Sequence, residues 1–77
     1  MKFRCLDVVV LEKDLPAYGL RRGDLGAVVE VYQPDGLEVE FVTASGVTGA
    51  LVTLTEVDVR HVVENDLVAV RPYTRTA

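Results

Sequence analysis

Apolar and polar residues alternate in short runs along this chain, and each run ends at glycine, proline or a group of acids. Such a texture predicts strands joined by turns, because side chains point alternately to the two faces of a pleated strand. Asp7-Val8-Val9-Val10-Leu11 is a β-branched run too short for a helix, and it predicts a first strand buried on both faces. The polar stretch from Glu12 to Asp24 holds one proline and two glycines and keeps no period, so it predicts a long loop that doubles back. Gly19 and Gly23 are the positions in it expected to adopt backbone conformations costly for other residues.

From Gly26 to Gln33 the alternation sets Ala27, Val29 and Val31 against Val28, Glu30 and Tyr32. From Leu37 to Thr43 it sets Leu37, Val39 and Phe41 against Glu38, Glu40 and Val42. The connection Gln33-Pro34-Asp35-Gly36-Leu37 allows two turns. A two-residue Asp-Gly turn would place Val31 opposite Glu40 and mix the two faces. A three-residue turn of Pro34, Asp35 and Gly36, with Gly36 left-handed, pairs Gln33 with Leu37, Val31 with Val39 and Val29 with Phe41. A slip of one residue flips every side chain, so the apolar pattern selects the three-residue turn. Glu30 then faces Glu40, and Tyr32 faces Glu38.

Thr43 to Gly49 is a second turn rich in small residues, and Ala50 to Thr55 is a strand whose inward phase the pattern leaves open. Glu56-Val57-Asp58 reads as a short turn, Val59 to Val63 as a fifth strand, and Leu67 to Val70 as a sixth after the break at Glu64-Asn65-Asp66. Pro72 ends that strand, and residues 72–77 read as a loose tail. The fold class expected is all-β, a small barrel or barrel-like sheet pair.

With 77 residues the chain is expected to form one domain, and a core of that size stabilises by only about 3–5 kcal/mol. Hydrophobic residues make up 49% of it and valine dominates, which suits a β core of short branched side chains. One cysteine cannot staple the fold internally, no apolar run is long enough for a membrane span, and Asp7 interrupts what a signal peptide would keep apolar. A cytoplasmic setting is therefore expected. The formal net charge of −4, with Arg21-Arg22 the one basic doublet, argues against a phosphate-neutralising surface.

The stretch DVVVLEKDLPAYGLRRGDLGAVVEVYQPDGLEVEFV, Asp7 to Val42, resembles a small bacterial family, domain of unknown function 4926. Its Leu-Pro, Gly-Leu, Gly-Asp and Gly spacings coincide with that family's pattern, and the resemblance runs from Asp7 to about Arg60. It implies an SH3-like barrel of five strands, with Leu67 to Val70 as an added C-terminal strand, in the bacterial cytoplasm. It carries over no catalytic residue. Such domains sometimes lie beside toxin genes, which implies an antitoxin-like, immunity-like or accessory role. Leu20 to Val31 also resembles the KOW motif of ribosomal and transcription factors, but RNA-binding KOW loops are more basic than this one. The shared wording is shared turn physics: Asp24 is expected to accept a bond from a nearby backbone amide, and Gly26 to admit a neighbouring strand. Arg22-Gly23-Asp24 is read as a chance tripeptide rather than an adhesion motif.

Candidate chemistry is sparse. Cys5 and His61 are the only cysteine and histidine, with no oxyanion-hole signature, so packing is expected for Cys5 and a surface position for His61. They cannot complete a metal site, and no cofactor is expected. With no tryptophan, Tyr18 and Tyr32 make a poor groove for proline-rich ligands. The sharper signal is the outer hairpin face, where facing glutamates are mildly unfavourable. Either Lys13, Arg21 or Arg22 folds over to neutralise them, or a partner's cation does. The candidate partner-binding residues are Glu30, Tyr32, Glu38 and Glu40, with Tyr18 from the loop, and the expected partner is a basic protein. The alternative is weak nucleic-acid binding through Lys13 to Arg22. The apolar strand Leu67 to Val70, through Leu67, Val68 and Val70, either closes the barrel or pairs with a second copy.

Overall fold

The computed structural model describes residues 1–74 and contains five antiparallel strands: β1 (Val8–Leu11), β2 (Leu25–Tyr32), β3 (Gly36–Val42), β4 (Thr48–Thr55) and β5 (Val59–His61). They form one sheet in the order β4-β3-β2-β1-β5, with a short 3-10 helix, Pro16–Tyr18, in the loop between β1 and β2. The all-β expectation holds. The inward side chains are Val9 and Leu11 of β1, Val28 of β2, Leu37, Val39 and Phe41 of β3, Ala50, Val52 and Leu54 of β4, and Val59 of β5. Phe3 and Leu20 close this core from outside the strands. The open phase of β4 is settled: Ala50, Val52 and Leu54 face in, and Leu51 and Thr53 face out. β1 is buried except at Val8, which is 52% exposed.

The loop from Glu12 to Asp24 doubles back as expected. Leu15 pairs with Leu20 across the 3-10 turn, and Gly19 and Gly23 have φ of 69° and 96°. Asp24 accepts the Arg21 amide at 2.7 Å, and Asp14 accepts the Arg22 amide at 2.9 Å. Each carboxylate thereby satisfies a backbone donor that the turn leaves without a strand partner. Gly26 faces inward where a Cβ would lie 2.7 Å from Val39 Cγ1 and 2.9 Å from Phe41 Cε1. The expected close approach is real, and it is what lets Phe41 lie over β2.

The hairpin differs from expectation in three linked ways. The connection is Gln33, Pro34 and Asp35, with a cis bond between Gln33 and Pro34, and Gly36 already belongs to β3 opposite Tyr32. Gly36 is not left-handed; its missing side chain instead leaves room for Tyr32, whose Cβ would lie 3.2 Å from an added Cβ. The register is Val31 to Leu37 and Glu30 to Glu38, then Val28 to Val39 and Ala27 to Glu40, so Val29 is an extra residue bulged out of β2. The expected pairs Val31–Val39, Val29–Phe41, Glu30–Glu40 and Tyr32–Glu38 do not form. The physical reason is a conflict within the strand. Gly26 and Val28 fit the core, yet an unbroken alternation with them inside would bury Glu30 as well. The bulge changes the phase between them, and Glu30 stays in water, where an unpaired carboxylate is far less costly.

The sixth strand is absent. Beyond β5 the described chain has no regular structure, and Leu67, Val68 and Val70 are exposed and unpaired by any strand. β5 itself stops at His61, short of Val63. Residues 72–74, expected to be loose, are tied down through Tyr73, which packs against the core; residues 75–77 lie outside the described residues. Leu6 is exposed and takes φ of 76°, a left-handed conformation unusual for leucine.

Candidate functional site

The outward faces of β2, β3 and β4 carry the candidate acidic site. Glu30 and Glu38 are direct cross-strand partners, and Glu40 lies between Ala27 and Leu51. Successive outward positions of β3 thus present Glu38 and Glu40 side by side, while the bulge brings Glu30 against the first of them. Tyr32 and Val42, 45% and 48% exposed, flank the acids at either end. Leu51 and Val8 stand in the same lateral row as Glu40, so the carboxylates are set among exposed apolar side chains.

Threonines, not cations, meet the acids. Thr53 Oγ1 donates to Glu38 Oε1 at 2.6 Å, and Thr48 Oγ1 donates to Glu40 Oε2. These bonds fix two carboxylates in orientation without neutralising them. Among the described residues no ion pair reaches Glu30, Glu38 or Glu40. Two basic side chains of the loop are spent elsewhere. Lys13 pairs with Asp58 at 3.1 Å, and Arg22 lies near Glu12 while its amide serves Asp14. The expectation that Lys13, Arg21 or Arg22 would cover the glutamates is overturned: among the described residues none of the three pairs with them, and Lys13 and Arg22 meet acids on the β4–β5 turn and on their own loop instead. Lys13 also helps hold the Asp58 carboxyl low: burial pushes it up, but the Thr55 amide and Lys13 outweigh that.

Tyr18 belongs to a different place. It is exposed at the end of the 3-10 helix, and its carbonyl accepts the Tyr73 hydroxyl at 2.6 Å. Beside it lies a cluster the sequence reading missed. Arg71 grips Asp24 with both Nε, at 2.9 Å from Oδ1, and Nη2, and Nη2 also donates to the Gly19 carbonyl at 3.0 Å. Burial pushes the Asp24 carboxyl up, yet Arg71 and the Arg21 amide hold it below its ordinary value. Asp24 was expected to serve a backbone amide, and it does; its second role depends on a residue 47 positions away, for which the local sequence carries no signal.

The Cys5 and His61 pair does not assemble. Cys5 is exposed rather than packed inside, and its Sγ lies 3.7 Å from the Val29 carbonyl oxygen. His61 stacks on Phe3 with ring centroids 4.4 Å apart, its Nε2 lies 3.2 Å from the Lys2 carbonyl, and its Nδ1 faces Asp7 at 4.0 Å. No group of three or more His, Cys, Asp or Glu side chains fit to hold a metal ion occurs among the described residues. No described helix is long and apolar enough to cross a membrane.

Comparison with known proteins gives one family. The family model described as Domain of unknown function (DUF4926) matches residues 5–61, which span all five strands and the loop from β1 to β2. Neither the curated proteins nor the solved structures yield a match.

Proposed function

The chain belongs to the DUF4926 family, and we propose that it is a non-catalytic protein-binding module whose outer hairpin face receives a basic partner. The strand order β4-β3-β2-β1-β5, with its long loop after β1, supports reading the scaffold as a small SH3-like barrel. The observation that carries the binding reading is the row of Glu30, Glu38 and Glu40, exposed or half-buried, held outward and, among the described residues, met by no cation. Two facing glutamates cost a small domain a few tenths of a kcal/mol up to about 1 kcal/mol. A lysine or arginine from a partner removes that cost on binding and gains a charge-assisted bond to carboxylates already oriented by Thr48 and Thr53. Tyr32, Val42 and Leu51 supply apolar contact at the rim. A partner met in this way fits the accessory, antitoxin-like or immunity-like role that the resemblance implied.

The test is affinity capture from the source cell with the wild-type chain and with Glu38→Lys/Glu40→Lys. A basic protein held by the wild type, released by moderate salt and held at least tenfold less by the reversed chain is the expected result. Retention of the same partner by the reversed chain removes the proposal. Recovery of nucleic acid, with affinity falling log-linearly as salt rises, transfers the function to the loop Lys13 to Arg22.

A further inference from the structure

The strongest unexplained feature lies at the other end of the sheet, where the segment beyond β5 returns to the body. After Asp66, which Arg60 holds with two bonds of 2.9 Å, the chain crosses Leu67 to Val70 without pairing. It then docks at two points. Arg71 meets the carboxylate of Asp24 and the carbonyl of Gly19. Tyr73 lays its ring where Gly49 has no side chain, since an added Cβ would lie 2.9 Å from Tyr73 Cε2, and its hydroxyl donates to the Tyr18 carbonyl at 2.6 Å with the Gly49 carbonyl 3.3 Å away. Between the segment and the body lies a groove of about 580 Å³, walled on one side by Ala69 to Tyr73 and on the other by residues that include Leu25, Phe41 and Val42.

We propose that this groove is an arginine-recognition site, that Arg71-Pro72-Tyr73 is its tethered occupant, and that an extended segment of a partner protein with arginine followed two residues later by an aromatic displaces it. Four observations converge. The receptor groups are specific in shape: a carboxylate that takes guanidinium bidentately, a backbone carbonyl beside it, and a glycine cut-out at the distance of the aromatic ring. The receptor lies wholly within residues 5–61, the part the family match covers, whereas the occupant lies wholly outside it. The occupant is held by side chains and not by a strand ladder, so its release breaks no sheet hydrogen bond. And it leaves the apolar side chains Leu25, Phe41 and Val42 facing open groove, so a longer or bulkier segment in its place buries more of them. The anchor is the guanidinium rather than a proline-rich helix, so the scarcity of aromatics noted in the sequence is no obstacle. This site shares Val42 with the rim of the acidic hairpin face but none of the glutamates, so it stands whether or not that reading does.

A tethered occupant competes at an effective concentration near millimolar, so the wild-type chain should bind the same segment weakly in trans. The probe is a fluorescent peptide of residues 69–74, titrated into wild type, into Arg71→Ala/Tyr73→Ala, and into that variant with Asp24→Asn added. The expected result is saturable binding by the double variant at least tenfold tighter than by wild type, at least tenfold weakened by Asp24→Asn, and absent for a peptide with citrulline in place of arginine. A cooperatively folded double variant with no saturable binding up to millimolar peptide overturns the proposal, as does binding indifferent to Asp24→Asn. If the double variant fails to fold, the wild-type chain decides: excess unlabelled peptide should sharpen the NMR lines of the Tyr73 ring as it is released, and unchanged lines overturn the proposal.

Discussion

At the scale of single residues, Gly26 shows how one absent side chain organises a core. Its inward position is closed by Val39, Phe41 and the Glu40 carbonyl, all within 3.1 Å of where a Cβ would stand. Gly26→Ala is expected to destabilise by about 1–3 kcal/mol, the usual cost of overpacking, read from the shift in urea midpoint at unchanged m. Much of this scale was legible in the sequence. Gly19, Gly23, Gly26 and Asp24 each act as the turn chemistry implied. What was illegible at this scale is long-range: Cys5 was expected inside on the burial habit of cysteine, but it is exposed, and its thiol meets a carbonyl 24 positions away.

At the scale of elements, the bulge in β2 is the informative departure. Alternation put Val29 inward with Val31 and Val28 outward with Glu30, which is the reverse of what the structure shows at these two positions, because two adjacent valines carry no signal that a bulge switches the phase between them. The structure places Val28 at 0% exposure and Val29 at 39%. Val28→Ala removes two buried methyl groups and should cost about 2 kcal/mol with its cavity, whereas Val29→Ala should cost less than about 0.5 kcal/mol. Chemical denaturation of the two variants checks this directly, and an unbroken strand would reverse their order. The outward placement of the three glutamates does not depend on which of the two registers forms, although Tyr18 lies elsewhere. Glu30, Glu38 and Glu40 remain outward because the hairpin slipped by an even number of residues and the bulge lies inside Glu30, so the facing pair changed and the face did not. The expected strand Leu67 to Val70 failed for a different reason: its apolar composition matched a strand, but no edge of the sheet receives it.

At the scale of the whole molecule, two aspartates tie distant segments together and a third closes the turn after β5. Asp24 holds the segment beyond β5, Asp58 holds the β4–β5 turn and Lys13, and Asp66 holds Arg60. All three carboxyls lie below the ordinary value; the side-chain bonds from Arg60 and the Val63 amide bring Asp66 down to about 2. A carboxylate with a depressed folded pKa stabilises fully above its unfolded value, near 4, and that stabilisation is lost as pH falls toward the folded one. Thermal unfolding should therefore be steady from neutral pH down to about 5 and fall between about pH 4 and 2. Asp66→Asn, already lacking its share, should show a shallower decline, checked by melting temperature across that range. Another arrangement at this scale has a practical outcome. Phe3 stacks on His61, so the polypeptide enters and leaves the five-stranded body at one spot. Grafted into a surface loop of a host enzyme, residues 3–61 would need hardly any spacer at either junction, because the host's two attachment points would already be neighbours.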